Sequence, residues 1–566
     1  MDFSTLFLLT FKPCCCYNWE EMLKNLFRKS QTSILSAAFV IAAMVATSRV
    51  LGLVRDRLLT ARFTTDELGI YFAAFRIPNF VFEIMAMGAV SVAFIPVFTS
   101  YIYKGKKEEA YRVASSVINL GVIISFIFSL VLFVFADQIS KFITPGFKGE
   151  ELTLMISFTR IMILFQVLPL IVGSFLTGIL QSFKQFLIPA IAPVVYNVGI
   201  IIGIVFLTPV LHLYAPVVGV VIGAFLFFVI QVPFVLLLNY RHSFKIDIKE
   251  KGVREIGKLM LPRTIGMAAS QIDSTVDLIL ASLLSTRSVS VFYLAQHLQL
   301  LPVGLFAISI AQAALPNLSE ESMKENLVTF KKSFLTSLHQ IFFLIFPFSV
   351  LFIVLRIPIV RLVFGADRFD WPSTVLTGKT LAYFSISLFA QGAIQLLSRS
   401  FFALHDSKTP VMAAILSIVI NVVLSVVFIV FLNLPVYALA LSTSIASILN
   451  ALALLILLDI KVFHFDKFAL LKPFVKIVFA SMVTAFSTYI PLKLLDQLIF
   501  DTTRTFELIL LTGTVSTFGL AIYLFMAWFL NIEEVAVFLN FAKKVVKVKD
   551  LFLEPSKETG VGEISS

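Results

Sequence analysis

A chain of 566 residues that is 59% hydrophobic and 14% charged, with a mean hydropathy of +0.96, is too apolar for a water-soluble globule and too long for one membrane span. The composition describes an all-α polytopic membrane protein. Its net charge of +11 is scattered over short loops, which excludes a nucleic-acid partner and assigns the basic residues to membrane topology. The three cysteines are consecutive, Cys14 to Cys16, so neither a disulfide framework nor a zinc site is indicated.

Residues 1–31 read as a cytoplasmic N-terminal segment, within which Met22, followed by Lys24, Arg28 and Lys29, makes a conventional start. Apolar runs of about 20 residues then predict fourteen spans. The first six, at 32–54, 67–101, 112–136, 152–181, 187–208 and 214–239, form a first lobe over 32–239. A charged cytoplasmic connector follows at 240–256. Spans at 257–285, 289–316, 330–355, 374–403, 410–432 and 435–459 form a second lobe over 257–459, and two extra helices, 473–494 and 507–530, complete the set. The second and eighth spans are long and contain Pro78, Gly88 and Pro96, and Pro302, Gly304 and Pro316, so kinks are expected. The tail 531–566 mixes Val535, Phe538, Phe541 and Val545 with Lys543, Lys544, Lys547 and Lys549, a basic amphipathic pattern that suits the inner leaflet or a solvated tail. Basic residues concentrate in the loops on the N-terminal side, so both termini are expected in the cytoplasm.

An internal echo organises the first twelve spans. Ala93-Phe94-Ile95-Pro96 recurs as Ala313-Ala314-Leu315-Pro316 at an offset of 220, while Pro189 pairs with Pro410 and Asp56 with Asp277 at 221. The offset equals six spans, so the two lobes are expected to share one orientation, with a site at their interface.

Polar residues inside apolar runs decide the chemistry, because a charge at bilayer depth costs at least about 2.5 kcal/mol unless it meets water, a counter-charge or an anionic ligand. On the first helix Arg49 and Asp56 share one stripe, and Ser48, Gly52 and Arg55 its neighbour. Arg55, Asp56 and Arg57 either end the helix in interfacial water or join Arg49 in a polar cavity. Arg76, Asn79 and Glu83 fall on one stripe of span two, where Arg76 and Glu83 either neutralise each other or serve a ligand. Span seven carries Arg263, Ser270, Gln271, Asp273, Ser274 and Asp277, whose carboxylates four apart suggest a cation or proton site. Span eight offers Gln296, His297 and Gln299 and span ten Lys379, Gln391 and Arg399, while Asn421, Ser425, Ser442 and Thr443 fit ordinary interhelical hydrogen bonding. No zincin helix, phosphate-binding glycine loop or nucleophile elbow is present, and the loops are too short for a catalytic domain.

The run Ser48 to Asp56, then Asp66, Phe75-Arg76-Ile77-Pro78-Asn79, Gly88-Ala89 with Ser91, and Ala93-Phe94-Ile95-Pro96 resembles the MurJ (MviN) family of lipid II flippases. Ser270-Gln271-Ile272, Ala281-Ser282, Ser288-Val289-Ser290, Leu315-Pro316 with Leu318-Ser319, and Asp406 with Lys408-Thr409-Pro410-Val411 continue the likeness, which covers about Ser33 to Leu530. The resemblance implies the MOP exporter superfamily, fourteen helices, two six-helix lobes around a central cavity, and a groove made by the last two helices for a polyprenyl chain. By it, Arg49, Arg55 and Asp56 match charges in and around the cavity, and Asp66 an acidic residue that starts span two. Phe82 and Glu83, Met87 and His297 depart from the pattern, so the cavity has lost positive charge unless Arg76 and His297 stand in.

The expected function is therefore lipid II translocation from the inner to the outer leaflet of the bacterial cytoplasmic membrane by alternating access. Arg49, Arg55, Asp56, Arg76, Asn79, Glu83 and His297 are the candidate headgroup residues, and Ser48, Gly52, Asp66 and Gly88 candidate gating or structural positions. No cofactor is expected. Membrane potential or a monovalent cation at Asp277, Asn421 and Ser425 would supply energy. Besides lipid II and membrane lipids, cell-wall synthesis machinery is a possible partner of an expected monomer. The alternatives are a related exporter of another lipid-linked oligosaccharide or of drugs, and an intramembrane polyprenyl-phosphate glycosyltransferase.

Overall fold

In the computed structural model the described residues are 34–87, 93–324, 327–462, 464–502 and 504–535, and among them all regular structure is helical. The segment 1–31, the tail beyond residue 535 and Gly88 lie outside the described residues.

The first repeat contains α1 Ile34–Arg62, α2 Thr65–Phe82, α3 Ile95–Tyr103, α4 Lys107–Val134 and α5 Ala136–Ile143. It continues with α6 Gly149–Phe165, α7 Val167–Ser182, α8 Leu187–Ile202, α9 Ala215–Val229 and α10 Val232–Leu237. The second contains α11 Lys251–Leu284, α12 Thr286–Pro302, α13 Ile308–Met323, α14 Leu327–Val354 and α15 Arg356–Phe364. Then come α16 Trp371–Ser385, α17 Leu388–Ala403, α18 Lys408–Val426 and α19 Tyr437–Lys461, followed by α20 Lys467–Leu498 and α21 Thr505–Phe529.

Helix starts recur at the offset seen in the sequence. α2 and α12, α7 and α17, and α8 and α18 begin 221 residues apart, and α4 and α14 begin 220 apart. The local devices recur with them. Thr64 and Glu67 form a reciprocal capping box at the start of α2, Glu67 Oε2 accepting from Thr64 N at 2.7 Å and Thr64 Oγ1 from Glu67 N at 3.3 Å. At the equivalent position Ser285 caps α12, its Oγ accepting from Ser288 N at 3.1 Å. In spans two and eight, where kinks are expected, the helix has π-helical turns, Glu83–Met87 and Val303–Ala307, again 220 apart. Left-handed residues close α7 and α17 at Lys184 (φ 60°) and His405 (φ 56°), and recur at His212 (φ 46°) and Asn433 (φ 51°).

Two compact units are present. One takes residues up to Leu58, Ala74–Ser140 and Thr153–Gln271; the other takes Leu59–Ala73, Lys141–Leu152 and the chain from Ile272 onward. The first is centred on an aromatic core in which Phe94 stacks on Phe98 at 5.2 Å and meets Phe175 edge-on at 5.6 Å. Such pairs are worth about 1 kcal/mol each beyond the surface they bury. Here α8 and α9 pack backbone to backbone: a Cβ at Gly199 would lie 2.4 Å from the Gly223 Cα, and one at Gly203 would lie 2.3 Å from the Gly219 Cα. Partners rise in number on one helix as they fall on the other, so the chain between them reverses direction. Lipid tails are as apolar as leucine, so this close small-residue contact, and not water exclusion, holds the pair. In the second unit α14, α20 and α21 share a core of Leu351, Leu355, Leu492, Leu511 and Val515. Lys476 Nζ closes the end of α21 by donating to the Leu530 carbonyl at 2.6 Å.

Among the described residues ten helical stretches are long and apolar enough to cross a bilayer, or eleven if α16 and α17, bent by 44°, count as one broken span. The 51-residue stretch Leu187–Leu237 among the ten contains the α8–α9 reversal.

Candidate functional site

The polar stripe of α1 is the first element of the site. Arg49 is exposed, and a Cβ at Gly52 would meet nothing within 4 Å, so this part of the helix borders open space. One turn further Arg55 turns back on its neighbour: Nη2 and Nε donate to Asp56 Oδ1 at 2.8 and 3.0 Å. The Asp56 side chain is 2% exposed and that of Arg55 19%, so the pair straddles the protein surface with its positive end outward. Asn197 of α8 joins them, its Oδ1 accepting from Arg55 Nη1 at 3.4 Å while its Nδ2 donates to Ser48 Oγ at 3.2 Å. Four of the expected positions, Ser48, Gly52, Arg55 and Asp56, thus form one continuous patch. Asn197 is the residue that sequence reading missed. It carries no charge and follows a proline in an apolar run, and the only signal was its spacing of 224 from Asn421.

A second cluster lies in the same unit, at the π-turn of α2. Arg76 is buried and its Nη2 donates to the Gln271 carbonyl. Gln271 in turn donates through Nε2 to Glu83 Oε2, and Asn79 Nδ2 donates to Glu83 Oε1 at 2.9 Å. The stripe expected from the sequence exists, and Gln271 of α11 closes it.

The second unit contains the remaining candidates. Asn421 donates to Asp273 Oδ1 at 2.9 Å and Ser425 meets Ser442 at 2.6 Å, while Asp277 is buried one turn along α11 from Asp273. Among the described residues no three His, Cys, Asp or Glu side chains gather as a metal-ion site. His297 faces the rings of Phe72 and Tyr293 edge-on at 6.1 and 6.3 Å, in an aromatic setting. Gln299 and Gln391 bond each other between helices at 3.2 and 3.4 Å.

Asp66 belongs to a cluster the sequence did not announce. Its carboxylate accepts from Arg287 Nη2 at 3.0 Å and from Thr286 Oγ1 at 3.2 Å, and Arg287 Nη1 pairs with Asp370 at 3.1 Å. Asp66 and Arg287 occupy equivalent repeat positions. The contacts around them are reciprocal in the same sense: Gly69 lies against the Thr286 backbone, and Ser290 Oγ donates to the Thr65 carbonyl at 2.5 Å. The first turns of α2 and α12 therefore meet about a local twofold.

Comparison with solved structures places this fold among helical membrane transporters. A multidrug resistance MATE family transporter of the MOP superfamily, in an inward-facing conformation, aligns with a TM-score of 0.61 and 16% identity over 73% of this chain and 94% of its own. The agreement is closer with the inward closed conformation of a lipid II flippase MurJ, with a TM-score of 0.71 and 27% identity over 86% of this chain and 98% of that one. The sequence profile of lipid II flippase MurJ matches residues 58–532. A Vibrio cholerae protein described as "Probable lipid II flippase MurJ" is 31% identical over 441 residues, covering 74% of this chain and 81% of its own length. One from Bdellovibrio bacteriovorus with the same description is 28% identical over 522 residues, 90% of this chain and 97% of its own. The chain belongs to the lipid II flippase MurJ family.

Proposed function

We propose that this chain is a flippase that carries lipid II from the inner to the outer leaflet of the bacterial cytoplasmic membrane by alternating access. The observation that carries the reading is the agreement, over nearly the whole fold, with a solved lipid II flippase. As a family member it is a transporter and not an enzyme. Fourteen passes are the count we favour: the α8–α9 reversal and the bent α16–α17 pair extend the apolar spans, and the charged α1 and α11 supply two more crossings. Both termini then lie in the cytoplasm.

The chemistry of the α1 patch suits a pyrophosphate. Arg55 is held by Asp56 and Asn197 and reaches the surface, and Arg49, one face over, is exposed. Two guanidiniums beside open space offer bidentate, charge-assisted hydrogen bonds to a phosphorylated headgroup. That binding replaces the water which so polar a head would otherwise lose in hydrocarbon. Arg76, Asn79 and Glu83 form a more closed network that supports the sugar or peptide part of the head, and His297, set among aromatic rings of the second unit, is a separate candidate contact. Asp277, Asn421 and Ser425 are the proposed surroundings of a monovalent cation that couples transport to a gradient. Complementation of a flippase-depleted strain tests the reading. The wild-type chain restores growth and Arg49→Ala with Arg55→Ala does not. Growth with both arginines removed would refute the assignment of the headgroup site.

A further inference from the structure

The connector between the repeats carries contacts that translocation leaves unused. From Leu238 to Asp247 it is laced to α4. Tyr111 Oη donates to the Leu238 carbonyl at 2.8 Å, Ser115 Oγ lies 3.0 Å from Tyr240 Oη and accepts from Ser243 N at 3.1 Å, and Asn119 Nδ2 donates to the Ser243 carbonyl at 2.8 Å. The lacing then returns, with Asp247 N donating to Ser116 Oγ at 3.2 Å. His242 fastens the turning point, its Nδ1 3.1 Å from Tyr240 Oη and its Nε2 2.9 Å from Asn119 Oδ1.

This geometry sets the depth of the connector. Asn119 stands about 18 Å along α4 from its first residue at 1.5 Å per residue. One turn beyond it α4 begins to expose Ile123, Ile124, Phe126 and Ile127, the bare apolar face expected of a lipid contact. The turning point therefore sits one turn before the bare apolar face of α4 begins. There Phe244 is 83% exposed, with the His242 ring edge-on at 5.2 Å, and Ile248 is 62% exposed. Arg241, Lys245, Lys249, Lys251 and Arg254 are exposed around them. Residues 239–258 carry six basic side chains against three acidic ones. In water such phenyl and butyl groups lie idle, whereas apolar side chains set among cations at the edge of a bilayer are what an anionic membrane surface binds.

We propose that the connector is a binding site for anionic phospholipid of the inner leaflet, a reading that rests on the proposed orientation of the chain. Phe244 and Ile248 enter the acyl boundary, and Arg241, Lys245 and Lys249 take the headgroup phosphates. Because the connector is tied to α4, lipid bound there holds the link between the repeats against the membrane.

Full-length protein carrying Phe244→Trp, with Trp19, Trp371 and Trp528 replaced by phenylalanine, tests this in nanodiscs of phosphatidylcholine with a minority of phosphatidylglycerol. Bromine is placed on the acyl chains of the phosphatidylglycerol, or of an equal amount of phosphatidylcholine. Brominated phosphatidylglycerol is expected to quench the reporter more strongly, and Arg241→Ala, Lys245→Ala and Lys249→Ala each to weaken the apparent affinity about fivefold. Equal quenching by both lipids overturns the proposal. So does a reporter that neither lipid reaches, whether acrylamide quenches it, as for a solvated loop, or does not, as for a site covered by protein. Ile248→Trp provides a second reporter should the first disturb folding. Orientation is read separately, with Ile246→Cys in a chain whose Cys14, Cys15 and Cys16 are serine. An impermeant maleimide that reaches it only from outside the cell overturns the inner-leaflet assignment and the orientation, while the quenching still reports whether anionic lipid is preferred.

Discussion

Arg55 and Asp56 are adjacent in sequence, so their side chains leave α1 about 100° apart, and only the flexible guanidinium can fold back to meet the carboxylate. That arrangement neutralises the buried group and keeps the partly exposed one at the protein surface. Asp56→Ala therefore takes the Asp56 counter-charge from a partly exposed cation, and the expected loss is about 2 kcal/mol, below that of a fully buried broken pair because Arg55 reaches solvent. Adding Arg55→Ala should cost less than the sum of the two single changes, a coupling that thermal melts of a double-mutant cycle in detergent will show. His242 makes a prediction of the opposite sign in charge. Burial lowers its pKa from the ordinary 6.5 and pushes the Tyr240 hydroxyl up to about 12, so both prefer to be neutral in the laced connector. Between the lowered folded value and 6.5 the released connector binds more protons, so acid favours release and the lacing is complete only above 6.5. Amide exchange of residues 240–247, corrected for intrinsic rates, is expected to accelerate as pH falls below that value, and His242→Gln to flatten the dependence.

At the scale of elements, glycine positions separate contact from mere presence. Gly203 and Gly513 both sit in apolar helices, but a Cβ at Gly203 would lie 2.3 Å from the Gly219 Cα while one at Gly513 would meet nothing within 4 Å. Gly203→Val forces α8 from α9 and is expected to cost about 3 kcal/mol, seen as a lower melting temperature and poor yield. Gly513→Ala removes a helix-weakening glycine without a clash and is expected to be neutral or to gain about 0.5–1 kcal/mol. This distinction also marks what the amino-acid sequence revealed. Apolar runs of span length and three matches at offsets of 220 and 221 were enough to see the repeat, because span length and register are local properties, and the caps at Thr64 and Ser285 repeat them faithfully. Meetings between helices were not legible. Ser115, Ser116 and Asn119 read as ordinary polar residues at the start of a span, and nothing in α4 alone says that a connector more than 120 residues later lies on them. Asp66 and Arg287 were within reach, since applying the repeat offset to Asp66 gives Arg287, and equivalent positions are those that can meet about a local twofold.

That twofold contact bears on the whole molecule. A carrier that exposes its site alternately to two sides must make and break a closure at each end, and the closure should involve corresponding parts of the two repeats. Asp66 with Arg287, Gly69 with Thr286 and Thr65 with Ser290 meet this description at the end where α1 passes into α2, which the proposed orientation makes the outer end. Asp370 adds a second carboxylate to Arg287, so the guanidinium is shared between a residue that begins α2 and one that caps α16. Partly exposed ion pairs are individually weak, which suits a contact that has to open in every cycle. If opening is obligatory, fixing this contact must stop transport without harming the fold. Asp66→Cys with Thr286→Cys, in a chain whose Cys14, Cys15 and Cys16 are serine, places two thiols where side chains now touch at 3.2 Å. A short cleavable bifunctional thiol reagent is expected to abolish lipid II translocation in proteoliposomes, and cleavage of the link to restore it, with neither single cysteine sensitive to the reagent. Undiminished translocation by the linked protein would mean that the α2–α12 contact stays closed throughout the cycle and belongs to the scaffold.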